Sequence, residues 1–407
     1  MKTMAIFAAL SAAALMGATA FGDTITIDGV TWTYSAKGTV NKTITLGAGS
    51  ACIGTATVLD AADIPWTMDI DGNGEPYKVT AIANYAFQGC ASLTGTLAFP
   101  DHVTTIGKSA FKNTGITRIS SLGGVTSIGD YCFEGCQLAH VDLYNSRLAS
   151  CGSAFYRSQL VGTAMLPKAF STAGIRIFQS TNVDGVLFPG PDTVASGTQT
   201  YKVIQCNYLA ANTSCKLIFF GPNTEGKLQN CGNILDQVSG CTVFAPANGK
   251  WTGISTGGED NDVVYYGANQ PLDMFIDVDA GVVVATPTTE ATLVSILKTA
   301  PYFGLNVRVN VTNTIEVAAG AITASMLNAV KFNTMLLTFK VNTQEDLDSV
   351  FAAVPASNYP LLAIDASDAR SELTVPDGRE VYVRIRSGEG RQGKYTPKIN
   401  GIVIVFR

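Results

Sequence analysis

The chain has 407 residues, 46% of them hydrophobic and only 14% charged, with 40 glycines and a formal charge of −5. An acidic balance with no Arg/Lys tract argues against nucleic acid as a partner. The length admits two or more domains, and low charge with abundant glycine suits a turn-rich β protein.

Residues 1–20 read as an export signal. Lys2 supplies the positive start, residues 4–16 are apolar, and Ala18-Thr19-Ala20 places small residues where a signal peptidase cuts, after Ala20. That run is shorter than the ~20 apolar residues a membrane helix needs, and no later segment is longer. The expected location is therefore secreted or cell-surface, with no transmembrane segment in the mature chain.

Residues 21–78 alternate apolar and polar side chains, as in Thr24-Ile25-Thr26-Ile27 and Val30-Thr31-Trp32-Thr33-Tyr34. Such period-two runs predict half-buried strands, and Asp28-Gly29 between them predicts a hairpin. This segment is expected to be an N-terminal β-rich cap. Near its end, Asp69, Asp71, Asn73 and Glu75 alternate with other residues and Gly74 takes the sixth position, the spacing of half a calcium loop. The twelfth position, where a bidentate carboxylate belongs, is Thr80. The Asp-Gly and Asn-Gly pairs make a plain turn the favoured reading, with calcium a weak candidate and no other cofactor expected.

An internal repeat follows. Val79-Thr80-Ala81-Ile82-Ala83 leads to Phe87, Val103-Thr104-Thr105-Ile106-Gly107 to Phe111, and Val125-Thr126-Ser127-Ile128-Gly129 to Phe133. A weaker copy ends at Phe155. Gln88-Gly89-Cys90 matches Glu134-Gly135-Cys136, and Leu93, Ile116, Leu138 and Leu160 come next in each copy. A unit this short cannot bury its own apolar face, but stacked units can, so the recurring columns predict internal ladders of a solenoid. Val-Thr-x-Ile reads as a short strand. Ala-Phe-x-Gly-Cys reads as a tight helical turn that Gly89 and Gly135 stop.

These residues resemble the BspA-like leucine-rich repeats, most closely in Ile106-Gly107-Lys108-Ser109-Ala110-Phe111 and Ile128-Gly129-Asp130-Tyr131-Cys132-Phe133. The motif is complete over 79–155, lacks its cysteine at Thr114 and Ser158, and blurs after Phe170. Cys215-Lys216-Leu217 with Pro222, and Val243-Phe244-Ala245-Pro246, read as degenerate copies or a closing cap. The resemblance implies a curved β-rich solenoid on a secreted or surface protein, with adhesion or ligand binding as its role and no catalytic residues. Residues 79–267 are assigned to this solenoid. Of the nine cysteines, Cys90 and Cys136 read as small buried residues of a repeat column. Cys206, Cys215, Cys231 and Cys241 lie in the irregular half, where a disulfide is more plausible but connectivity stays open.

The texture changes near residue 268. Helices are expected over 289–300 and 323–330, and a third from Thr343, with Asp346 three residues on completing a capping box. Strands are expected over 305–311, 335–341, 361–364, 381–385 and 402–406. Residues 268–407 thus read as a small α/β domain. The fold class is a β-rich leucine-rich-repeat solenoid with an N-terminal β cap, followed by that domain.

No catalytic motif stands out. His102 and His140 are the only histidines, both at variable repeat positions and both read as ordinary surface or half-buried residues. The expectation is a non-enzymatic interaction or adhesion protein that binds a protein or glycan at a cell surface. Two alternatives stand beside it: an extracellular hydrolase that uses the repeats as a targeting module, and a structural envelope or matrix component.

Overall fold

The computed structural model describes residues 22–47, 59–168, 170, 172–190, 202–204, 207–226, 233–248, 251, 254, 256–257, 260–334, 336–354, 361–365, 373–375, 380–384 and 399–400. The export signal and the final strand expected at 402–406 lie outside them. The chain forms two compact units, Met1–Val263 and Val264–Arg407.

The first unit is a parallel β-solenoid. It opens with the expected hairpin, Asp23–Ile27 against Val30–Gly38. Asp28 and Gly29 both take positive φ, the geometry of a two-residue hairpin turn. The next strand, Thr43–Leu46, runs antiparallel to the hairpin but parallel to Tyr77–Ile82. It is therefore already a rung, and the parallel array starts ahead of the first legible motif at Val79.

From there one face of the array is a ladder of short parallel strands: Thr105–Ile106, Ser127–Ile128, Ser150–Cys151, Thr172–Ala173, Lys202–Ile204 and Thr224–Gly226. A second, lateral face carries Leu59–Asp60, Leu93–Ala98, Gly115–Ser121 and His140–Val141. A separate lateral sheet resumes with Val161–Met165, Asn182–Phe188, Leu217–Phe220 and Thr242–Pro246.

The repeat columns become buried ladders. Phe87, Phe111, Phe133, Phe155 and Phe178 are fully buried and stack almost parallel, with ring centroids 5.0, 5.4, 5.7 and 5.9 Å apart and interplanar angles of 5–7°. Each buried ring contributes roughly 1.5–3 kcal/mol through burial alone. Trp32 of the hairpin meets Phe87 edge-on at 6.4 Å and closes the start of the stack. Beyond Phe178 the same column holds Ala210 and Leu235, whose N–H groups continue the ladder to Ile234 and Thr256. Ring stacking therefore stops while the coils go on. A second stack, Phe188–Phe220–Trp251, follows at 5.3 and 4.0 Å.

The segment around each phenylalanine is not the helical turn that the sequence suggests. Every second N–H donates to the next coil, Tyr85 to Lys108, Phe87 to Ala110 and Gly89 to Lys112, and likewise Ser109 to Asp130 and Phe111 to Cys132, while those between close tight turns within the segment, Ala86 to Ala83, Gln88 to Tyr85 and Cys90 to Phe87. Left-handed residues bracket it. Gly89 and Gly135 take φ of +77° and +69°, but Asn113, Arg157, Asn212 and Gln237 adopt the same conformation at the matching place. The bend belongs to the fold, and glycine is one way of meeting it. The glycine after Ile106 and after Ile128 has another purpose. A Cβ on Gly129 would lie 2.6 Å from the Lys108 nitrogen, and one on Gly107 would lie 2.5 Å from the Asn84 nitrogen, so these positions let coils approach.

The cysteine column is a hydrogen-bonding column. Cys136 Sγ and Thr114 Oγ1 each donate to the Phe111 carbonyl at 2.9 Å. Thr181 and Thr213 hydroxyls serve the carbonyls of Phe178 and Ala210 at 2.7 and 2.6 Å. The threonine hydroxyls thus bond the carbonyl three residues back, whereas the Cys136 thiol reaches the Phe111 carbonyl of the preceding coil, and the Ser158 hydroxyl in this column is buried without a hydrogen-bond partner among the described residues. Leu217–Phe220 and Thr242–Pro246, read from sequence as degenerate copies or a cap, are regular rungs. Every residue in both is buried, so alternation gives way to continuous apolar runs and the motif disappears.

The second unit is α/β, with helices α1 (Glu290–Thr299), α2 (Ala324–Asn328) and α3 (Gln344–Ala353). α1 and α2 are each followed by a strand in one sheet and then a strand in another: Asn306–Asn310 then Ile315–Ala318, and Val330–Thr334 then Leu337–Lys340. Each helix starts at a threonine N-cap, Thr289, Thr323 or Thr343, and buries the leucine four residues on, Leu293, Leu327 or Leu347. The side chain of the first helical residue of α1 and of α3 also reaches a strand. Glu290 accepts from Ala318 N–H at 2.7 Å, and Gln344 from Thr374 N–H at 2.8 Å. Strands Leu272–Asp277, Val282–Pro287 and Ile315–Ala318 were not expected from sequence.

Two substitutions of opposite sign test this account. Gly129→Ala forces neighbouring coils apart and should lower unfolding stability by about 1–3 kcal/mol. Gln237→Gly relieves an exposed left-handed residue at φ +60° and should raise it. The gain is about 0.5–1 kcal/mol, since glycine also loosens the unfolded chain. Urea titrations followed by far-ultraviolet circular dichroism read both.

Candidate binding surface

Because Ala-Phe columns are committed to the interior, the residues beside them face outward along one edge of the solenoid. The left-handed residue ahead of Ala-Phe and the two residues after the phenylalanine are unconstrained by packing. In four consecutive coils these places hold Tyr131, then Tyr156 and Arg157, then Arg176, then Tyr208. All are half-buried or exposed. Tyr131 meets Tyr156 edge-on, with centroids 6.0 Å apart. Arg157 lies over Tyr156 at 5.0 Å, and Arg176 over Tyr208 at 5.3 Å.

Cation–π contacts of this kind are worth about 0.5–1 kcal/mol at exposed sites, enough to hold a guanidinium in place while leaving its N–H groups open. Among the described residues no carboxylate pairs with Arg157 or Arg176. The result is a tyrosine–arginine band. Those two residue types dominate binding energy at protein interfaces. The sequence analysis did not pick it out, although the signal was there: Tyr131 and Tyr208 occupy one repeat column.

The calcium candidates do not converge. Asp69 is turned onto its own loop, accepting from the N–H of Asn73 at 3.1 Å and of Gly74 at 2.8 Å. The Asn73 side chain accepts from Glu75 N–H at 3.0 Å. Asp71 points away, to Lys37 at 2.5 Å, the Tyr77 hydroxyl at 2.9 Å and Lys42 at 3.7 Å, while Glu75 lies 3.4 Å from Lys42. The Lys37 and Tyr77 hydrogen bonds hold the Asp71 carboxyl below its ordinary range. With two lysines already balancing these carboxylates, the loop is built as a turn. Among the described residues no group of three His, Cys, Asp or Glu side chains is placed to hold a metal ion.

The two histidines are far from any such arrangement. His102 Nε2 bonds the Trp66 carbonyl at 3.1 Å, and His140 is exposed on the lateral face. Cys90, Cys132, Cys136, Cys151, Cys215 and Cys241 are free thiols. Cys215 and Cys241 are thus not the disulfide that the irregular half suggested, while Cys206 and Cys231 lie outside the described residues. Burial pushes the thiols of Cys132, Cys136 and Cys151 up, and that of Cys241 too, where a hydrogen bond with Cys215 adds to it. No described helix is long and apolar enough to cross a membrane.

Residues 80–202 match the family model of the BspA type leucine rich repeat region, in six copies. Among solved structures, the chain is similar to a leucine-rich repeat protein of Treponema pallidum (19% identity, 46% of this chain and 78% of that one, TM-score 0.35). It is also similar to a leucine-rich repeat protein from Bacteroides ovatus (14% identity, 88% and 99%, TM-score 0.33). A leucine-rich cell surface protein from Faecalibacterium prausnitzii matches at 12% identity over 82% and 98%, with a TM-score of 0.33. No curated protein matches the chain.

Two outcomes are expected of this surface. Millimolar calcium should leave the thermal midpoint of the protein unchanged, because the Asp71 and Glu75 carboxylates are already paired and Asp69 is bound to its loop. Alkylation at pH 8 with peptide mapping should label half-buried Cys90 before Cys132, Cys136, Cys151 and Cys241, whose enclosed thiols resist ionisation. Equal labelling would show that the coils open.

Proposed function

Residues 80–202 form a BspA-type leucine-rich repeat region, and from that premise we propose that the protein is an exported or cell-surface interaction protein. It binds a protein or glycan at a cell surface through the outward side chains of its repeats. The observation that carries this reading is the tyrosine–arginine band on four successive coils, with Arg157 and Arg176 held on aromatic rings and, among the described residues, paired with no acid. A solenoid needs none of these residues for its own packing. Export is supported by Lys2, the apolar stretch and Ala18-Thr19-Ala20. Binding rather than catalysis is supported by the solvent-facing, motif-free setting of His140 and by the carbonyl-bound ring of His102.

The test uses the mature full chain, immobilised, against surface proteins and surface glycans of cells. One partner should be retained saturably, and the triple variant Tyr156→Ala, Arg157→Ala, Arg176→Ala should weaken retention by about tenfold or more. Its circular dichroism should stay that of the parent. Undiminished retention by the variant would remove the band from the function, and turnover of a substrate by the parent would remove the binding reading itself.

A further inference from the structure

Late in the array the phenylalanine ladder runs out. The column that holds Phe178 passes to Ala210 and Leu235, so it gives no ring contact between those two coils. Two sulfurs stand across the same pair of coils. Leu217 of the rung Leu217–Phe220 lies opposite Thr242 of the rung Thr242–Pro246, and Thr242 N–H donates to the Lys216 carbonyl at 3.0 Å. Cys241 therefore lies opposite Lys216, and Cys215 is one residue further back. With rungs about 4.8 Å apart and about 3.3 Å of rise per residue, their Cα atoms are about 6 Å apart, inside the ~4.4–6.8 Å that a disulfide spans.

Both sulfurs are interior: Cys215 is 0% and Cys241 1% exposed. Among the described cysteines they are the pair whose thiols hydrogen-bond to each other. Their ties to the backbone are slight. Cys215 Sγ lies 3.2 Å from the Leu217 carbonyl and Cys241 Sγ 3.9 Å from the Thr242 carbonyl, and a thiol is a weak donor, so joining the sulfurs forfeits little. Cys136, by contrast, is taken up by the Phe111 carbonyl at 2.9 Å. The structure holds Cys215 and Cys241 as thiols, which is their reduced state.

We propose that Cys215 and Cys241 are an oxidative modification site, and that in an oxidising compartment they join as a disulfide tying these two coils together. The compartment rests on the export reading above, but the chemistry does not. One thiolate attacks the disulfide of an exchange oxidant, either a thiol–disulfide oxidoreductase or oxidised glutathione. The second thiolate then attacks the mixed disulfide, forms the Cys215–Cys241 bond and releases the oxidant. The two cysteines give up two protons and two electrons, and the oxidant's disulfide becomes two thiols. Exchange needs a thiolate within reach of the oxidant, and burial denies both in the folded chain. The bond therefore forms as the coils stack, and once enclosed it resists reduction. Closing the loop from 215 to 241 also restricts the unfolded chain, which stabilises the late coils.

The experiment refolds the reduced, denatured mature full chain in two buffers, one of oxidised and reduced glutathione and one of excess dithiothreitol. Thiols left over are blocked with N-ethylmaleimide in denaturant. Trypsin and chymotrypsin then cut the chain, parting Cys206 from Cys215 at Tyr208 and Cys231 from Cys241 at Leu235. Mass spectrometry before and after reduction is expected to show a linked Cys215–Cys241 peptide in the glutathione sample alone. The oxidised chain should melt about 5 °C or more above the reduced one. Cys215→Ser or Cys241→Ser should remove that difference. The peptide readout uses the parent chain, so it stands if a serine variant fails to fold.

The proposal is overturned by recovery of Cys215 and Cys241 as maleimide adducts from the folded glutathione sample. Linkage of either to Cys206, Cys231 or another cysteine overturns it too, as does a melting difference that survives Cys215→Ser. A third sample, the chain produced in a bacterium with residues 1–20 attached, separates this inference from the export reading. A linked pair after refolding beside free thiols in that sample supports the pairing and sinks export. Free thiols after refolding sink the pairing alone.

Discussion

The distance between successive coils governs the first unit. Phenylalanine rings stacked 5.0–5.9 Å apart and strands about 4.8 Å apart can coexist only if the backbones beside them close up. Gly107 and Gly129 permit that approach, since a methyl group there would sit inside the van der Waals radius of the previous coil. The same closeness points every second N–H group of the turn at the next coil, while those between close back onto their own segment. A sequence that looks locally helical therefore becomes a bracketed turn, and residues as unsuited to left-handed backbone as Arg157 are held there.

Function follows from what this constraint leaves over. Valine, isoleucine, phenylalanine and leucine columns are fixed by the interior, and the hydroxyls of Thr114, Thr181 and Thr213 by the carbonyl three residues back. The side chains next to them are free to vary, and stacking brings those of consecutive coils within about 6 Å of one another. The band uses no interior position, but Tyr131, Arg157, Arg176 and Tyr208 hold left-handed backbone, a conformational cost that the solenoid carries. The lateral face shows the converse: where His140–Val141 shortens to two residues, the phenylalanine ladder and the buried Leu143 continue unbroken.

The second unit solves helix placement by other means. A threonine hydroxyl caps each helix, a leucine four residues later is buried, and in α1 and α3 the first helical side chain ties to a strand some thirty residues on. Those devices are local at one end and long-range at the other. The caps were readable in the sequence, as the box at Thr343 and Asp346 was, while the ties of Glu290 and Gln344 were not.

By itself the sequence determined the existence of the solenoid and its inward columns, because burial repeats with the coil and leaves the same residue types at the same spacing. It also determined the hairpin at Asp28-Gly29 and the capped helices, since those depend on neighbours a few residues apart. Only the tertiary structure decided the rest. It showed that Thr43–Leu46 is already a rung, that the apolar runs at 217–220 and 242–246 are rungs buried on both faces, and that Asp71 answers to Lys37 and Lys42. It alone gathered Tyr131, Tyr156, Arg157, Arg176 and Tyr208. These features arise between coils separated by twenty or more residues, where the pairing partner of a residue is set by the stacking of the backbone.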